Sequence, residues 1–269
     1  MSTSFGFTAA TSPHGVKDAA GSVGAHLAAK LELFGSDERT LTDELCDMLC
    51  VWLELSGRVG PSSVLLTMQK TTPREESKNG ADLRVNLATE FGLKRCLFQA
   101  KVLDPKTGKL RCEGKQGISK LRKQLKAARA ECGALAFLLV YVPSQYLDGA
   151  CGQFSTYEQM SCSAATPGIS STMGATVIPV DALLTPSGKW KKRKEPVGHL
   201  AGAFPNGLPF WKVLIELLVC RRGTWAGDPE LSMKAASDAE GFITLTMHAE
   251  AIDRWDIVKE QAEGLLRAP

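Results

Sequence analysis

No two of the eight cysteines, at positions 46, 50, 96, 112, 132, 151, 162 and 220, stand in a CxxC pair. That spacing argues against a zinc cage, and the expectation is of reduced thiols in a cytoplasmic protein. The four histidines, His14, His26, His199 and His248, are scattered, with no pair at metal-ligand spacing. GxSxG, Walker A and GxGxxG are all missing, which counts against a serine hydrolase, an NTPase and a dinucleotide-binding enzyme. No apolar run approaches the roughly 20 residues of a membrane helix. The opening MSTSFGFTAATSPHGVKDAAGSVG has neither a basic flank nor the unbroken apolar stretch of a secretory signal. The expected protein is soluble, with no membrane partner.

What is present is enough to fold. Hydrophobic residues make up 44% of the 269, sufficient to bury a full core. The net charge of +3 is too small to identify a nucleic-acid binder, so the placement of charge matters more than its sum.

Along the chain, the first 25 residues are small and polar and read as a mobile segment ahead of an amphipathic stretch at His26 to Phe34. Thr40 or Thr42 can cap a helix running to about Leu55, with Leu41, Leu45, Met48, Leu49 and Trp52 as its apolar stripe. Strands are expected at 63–70, 81–88 and 94–103, the last two as a hairpin around Phe91 and Gly92. A helix from about Gln116 to Glu131 and a buried strand at 134–142, parallel to a neighbour, complete an α-β-β-β-α-β core at 26–145. Residues 146–269 read as an elaboration packed on that core, with a strand at TVIPV, an apolar helix at 209–222, a strand at FITLTMH and a closing helix to Arg267. The predicted fold class is α/β, a mixed central sheet flanked by helices.

The strand KRCLFQAKVL sets Cys96, Phe98, Ala100 and Val102 on one face and Arg95, Leu97, Gln99 and Lys101 on the other. With the turn centred at Phe91 and Gly92, Asp82 falls opposite Lys101, Leu83 opposite Ala100 and Val85 opposite Phe98. A carboxylate, an amide and an amine then meet at one end of the hairpin. Carboxylate and amide oxygens are hard ligands suited to Mg²⁺ or Mn²⁺, and a lysine beside such an ion can stabilise the charge of a pentavalent phosphorus. A second carboxylate is wanted. Glu44 lies beside the apolar stripe of the first helix and is the acid expected to turn toward the sheet, with Glu38, just before the helix, as its rival.

Glu44, then GAD at 80–82, then QAK at 99–101, strung on α-β-β-β-α-β, resembles the PD-(D/E)XK phosphodiesterase superfamily and its Mrr-like QxK branch of restriction-type endonucleases. The resemblance spans about Leu41 to Val142. It implies a metal-dependent endodeoxyribonuclease with Glu44 as helix acid, Asp82 as central metal ligand, Gln99 in place of the second acid and Lys101 as catalytic lysine. Gln124 matches a helix glutamine that can face the site in such nucleases. Ala81 stands where the motif has proline, and Gln99 removes one negative charge from the metal site. By analogy the partners are DNA and either a second copy or a partner subunit of a bacterial antiphage defence complex. A chain that kept this fold without cleaving would be a nucleic-acid-binding or adaptor subunit.

The segment GKWKKRKE gathers Lys189, Lys191, Lys192, Arg193 and Lys194 around Trp190. Such a loop is either a solvated surface or a phosphate contact, with an aromatic ring that could stack on a base.

Overall fold

The computed structural model describes residues 6–8, 13–56, 65–89, 92–112, 114–144, 147, 173–191, 207–223, 243–246 and 255–267. Its centre is an eight-stranded mixed sheet in the order β1-β8-β2-β3-β4-β5-β6-β7. The strands are β1 (Gly6–Thr8), β2 (Leu65–Lys70), β3 (Leu83–Thr89), β4 (Gly92–Val102), β5 (Ala136–Tyr141), β6 (Ala175–Pro179), β7 (Leu208–Pro209) and β8 (Ile243–Thr246). The pairs β1–β8 and β4–β5 are parallel and the others antiparallel.

Helices cover both faces of the sheet. On one side α1 (Pro13–Phe34), α2 (Glu38–Ser56), α5 (Phe210–Leu218) and α6 (Trp255–Arg267) share a core with Val85, Cys96, Phe98, Ala100 and Tyr141. On the other, α4 (Gly114–Cys132) and a single helical turn at Val180–Leu183 pack on Leu97, Leu138 and Val140. Sandwiching makes β4 and β5 buried on both sides. Phe98 anchors its strand by stacking on Phe137, with centroids 5.0 Å apart, and meeting Phe210 edge-on at 5.6 Å. The apolar stripe of α2 is Leu41, Leu45 and Leu49, all fully buried, each worth about 1.5–3 kcal/mol in area removed from water.

The element order agrees with the sequence reading from α2 to β5, with a short helix added: α3 (Pro73–Asn79) between β2 and β3. The N-terminal segment departs from it. Helix α1 already begins at Pro13 and buries Val16, Ala19, Ala20 and Val23, so the stretch expected to be a mobile leader holds a helix whose residues from Val16 on pack on the core. Their small side chains are a packing requirement. A Cβ at Gly174 would stand 2.0 Å from the Gly24 carbonyl oxygen and 2.8 Å from the Ala28 methyl, so α1 passes close over a residue without a side chain. Beyond residue 146, β6 and β7 extend one edge of the sheet and β8 inserts between β1 and β2, so the two halves of the chain build one sheet.

The hairpin is displaced from the expected register. Observed pairs are Leu83 with Phe98, Val85 with Cys96 and Thr89 with Gly92, two residues off the reading that set Leu83 against Ala100. Alternation survives a two-residue slip, because it returns every side chain to the same face.

Candidate metal and phosphate site at the C-terminal end of β4

Three neighbouring segments hold the site. The first is the turn into β3. Thr72 caps α3 in a reciprocal box with Glu75, Pro73 opens the helix, and Gly80 closes it at φ 68°. Gly80 also passes directly over α4, where a Cβ would lie 2.2 Å from the Gln124 carbonyl oxygen. Asp82 follows two residues later and is held along its backbone. Its N–H donates to the Phe98 carbonyl at 2.9 Å and its carbonyl accepts from the Thr71 N–H at 2.9 Å.

The second segment is β4. The corrected register brings Asp82 to Gln99 and Ala100, not to Lys101. Its Oδ2 accepts from the Ala100 N–H at 2.7 Å and from Gln99 Nε2. Gln99 is completely buried, and its Oε1 accepts no hydrogen bond. Burying an amide oxygen without a donor is costly, which makes this atom a candidate acceptor. Lys101, two residues on, has about 15% of its side chain exposed.

The third is the start of α2. Asp37 is the cap, accepting from the Thr40 N–H at 2.8 Å and from its hydroxyl at 3.1 Å, in place of the Thr40 or Thr42 cap expected from sequence. The Thr40 backbone hydrogen bond holds the Asp37 carboxyl below its ordinary value. Glu38 is therefore the first helical residue. Its carboxylate accepts from Lys101 Nζ at 2.8 and 2.6 Å. The helix is seated there by Thr42, whose hydroxyl donates to the Glu38 carbonyl and accepts from Tyr141 Oη at 3.0 Å.

Glu44 is elsewhere. Six residues beyond Glu38, it sits about 240° around the helix, facing α1, where it pairs with Lys30 and His26. The expectation that Glu44 is the site acid is thus replaced by Glu38. The stripe reading placed Glu44 beside the apolar residues correctly but could not tell the sheet side from the α1 side.

Asp82, Glu38, Glu76, Thr71 and Lys70 line an open cleft of about 440 Å³. Burial, then the Glu38 charge, push the Asp82 carboxyl up to about 7, with Lys101 and the Ala100 N–H opposing and Glu76 adding to the rise. A carboxyl held up by burial and by like charges is one that a bound cation would return to the ionised form. Among the described residues no three His, Cys, Asp or Glu side chains gather into a ready metal cage. The donor set still fits a hard divalent ion of the Mg²⁺ type, because Asp82 offers a carboxylate, the Gln99 amide bonded to it carries an oxygen without a donor, and such an ion keeps several waters.

Glu76 escaped the sequence reading, which assigned no element between the strands at 63–70 and 81–88. The T-x-x-E capping box with proline at the first helical position was the available signal. Gln124 does not touch Asp82; its Nε2 donates to Glu76 Oε1 at 2.9 Å.

The basic loop is met only in part. Lys189, Trp190 and Lys191 lie in the described residues, while Lys192, Arg193 and Lys194 lie outside them. Trp190 packs against the core under α4 and bridges to Leu184, so its ring is not an open stacking platform. Lys191 Nζ donates to the Asp181 carbonyl at 2.5 Å.

Comparison of the chain with protein-family profiles, with curated proteins and with solved structures finds no match.

Proposed function

We propose that the protein is a metal-dependent endonuclease of the PD-(D/E)XK type, hydrolysing phosphodiester bonds of DNA. The observation that carries this reading is the Asp82 carboxylate in an open cleft beside Glu38, with the buried Gln99 amide bonded to Asp82 and the Lys101 ammonium bonded to Glu38, on the α-β-β-β-α-β order from α2 to β5. The acid on α2 in this reading is Glu38.

Asp82 and Gln99 would hold the ion, which supplies charge to polarise the phosphate and lower the pKa of a water. The chain's own part is positional. Backbone hydrogen bonds at 2.9 Å on both sides of Asp82 fix the carboxylate relative to β4. Lys101 stands where a non-bridging phosphate oxygen could replace Glu38 as its partner, bringing a fixed positive charge to the developing negative charge. Glu38, once displaced, is free to accept a proton from water or to complete the ion's shell. Incubating the purified protein with supercoiled plasmid and Mg²⁺, with and without excess EDTA, tests the proposal. Cleavage that EDTA abolishes and added Mg²⁺ restores is the expected result.

One observation favours the runner-up, a nucleic-acid-binding or adaptor subunit that does not cut. Glu38 engages Lys101 with both carboxylate oxygens, which would silence the lysine if nothing displaced it. That reading expects DNA binding with no Mg²⁺-dependent nicking.

A further inference from the structure

A second cleft, of about 340 Å³, opens between α3 and α4, lined by Glu76, Ser77, Gly80, Lys120, Lys123 and Gln124. It adjoins the Asp82 cleft, because Glu76 lines both. The two clefts have opposite character. Four carboxylates, Asp37, Glu38, Glu76 and Asp82, line the first against Arg39 and Lys70, so by itself it repels a polyanion. In the second, Lys120 and Lys123 stand at i and i+3 on one face of α4, both exposed. Among the described residues neither has a carboxylate within ion-pair distance, whereas Lys30, Lys70 and Lys101 each do. Gln124, which carries no charge, holds Glu76 by donating from Nε2 to its Oε1 at 2.9 Å.

We propose that the α3–α4 cleft is a phosphate subsite that holds the backbone of a DNA strand next to the bond placed at Asp82, with Lys120 and Lys123 as its contacts and Glu76 as the divide between gripping and cutting. This rests on the nuclease reading above. It explains how an acidic cleft admits a polyanion: the neighbouring phosphate is neutralised while the reacting one meets the cation. The geometry also fixes the register. Gly80, two residues before Asp82, presses α3 against α4 at Gln124, one residue after Lys123, so the two clefts share one close backbone contact. Phosphate contacts of this kind position a strand without reading its sequence.

The test uses the full chain carrying Asp82→Asn, so that bound duplex is not consumed, and measures DNA affinity against salt. Lys120→Gln with Lys123→Gln should flatten the slope of log affinity against log salt by about 1.5–2, since each lost phosphate contact removes about 0.9. Lys259→Gln with Arg267→Gln, the same loss of charge on α6 across the sheet, should leave the slope within about 0.5 of the parent. Both lysines are exposed, so folding should survive. A series of duplexes with one neutral methylphosphonate linkage each should show one position near the cut that weakens the parent and not the Lys120/Lys123 variant. An unchanged slope in that variant, or an equal drop in the α6 control, overturns the subsite while leaving the nuclease reading standing. A parent chain that neither binds nor cuts DNA removes the nuclease reading, and the subsite with it.

Discussion

Glu38 grips Lys101 with both carboxylate oxygens, at 2.8 and 2.6 Å, across the mouth of the cleft that holds Asp82. The first acid of α2 therefore does two opposed things. It satisfies the lysine, and its charge is the second cause, after burial, of the raised Asp82 carboxyl.

Glu38→Gln should remove that repulsion and move the acid limb of the pH–activity profile to lower pH, with a loss of rate of at least tenfold if Glu38 also acts on water or the ion. Glu44→Gln should leave activity within about twofold, because it breaks only a partly exposed contact with Lys30 and His26 that is worth about 1 kcal/mol or less. Steady-state nicking from pH 5.5 to 9 separates the two, and a larger effect at Glu44 would restore the helix acid first read from sequence.

Asp82 should make stability depend on pH in a direction opposite to most carboxylates. Its folded value, about 7, lies above the ordinary aspartate value of 3.8, so the native state keeps the proton longer than the unfolded chain. The contribution is fully present below 3.8 and is lost as pH rises through about 7. Asp82→Asn should accordingly stabilise the protein at pH 8 by ~1–4 kcal/mol and have little effect at pH 4. Thermal melts at the two pH values check this, and Mg²⁺ should raise the pH 8 melting temperature of the parent but not of the variant.

Gln99→Glu introduces a second carboxylate into a fully buried position beside Asp82. Without metal the change should destabilise by a few kcal/mol, roughly the range for an unpaired buried charge. With Mg²⁺ much of this loss should return. Titration calorimetry should show tighter Mg²⁺ binding in the variant; weaker binding would mean that the Gln99 oxygen is not a ligand.

Gly80→Ala should separate the site from its support. A side chain there meets both the left-handed backbone at φ 68° and the Gln124 carbonyl at 2.2 Å, so α3 must move off α4. We expect a loss of more than about 2 kcal/mol in denaturant melts, and nicking reduced further than stability alone accounts for.

How much of this was legible in the sequence depends on what kind of signal each element carries. Alternation in β3 and β4 was readable because Leu83, Val85, Phe98 and Ala100 all face one core. The same alternation is blind to a two-residue slip, which is why Asp82 was set against Lys101 and is found against Gln99. Helix α1 was hidden because its small residues, Ala19, Ala20 and Gly24 among them, read as a mobile segment, although Ala19 and Ala20 are buried in the core. Choosing Glu38 over Glu44 needed the neighbours of α2, since a stripe that borders both the sheet and α1 does not say that Glu44 turns to Lys30 and His26. Glu76 was missed because a seven-residue helix leaves too little periodicity to notice.

The central claim is that Asp82 and Lys101 perform metal-dependent phosphodiester cleavage, and the most direct measurement is plasmid nicking with Mg²⁺ by the parent, Asp82→Asn and Lys101→Ala proteins, with DNA affinity recorded for all three. The account predicts nicking by the parent that EDTA abolishes, and at least a hundredfold less by either variant while each still binds DNA. Nicking at the parent rate by either variant, or DNA binding by the parent with no cleavage in any divalent ion, would contradict it.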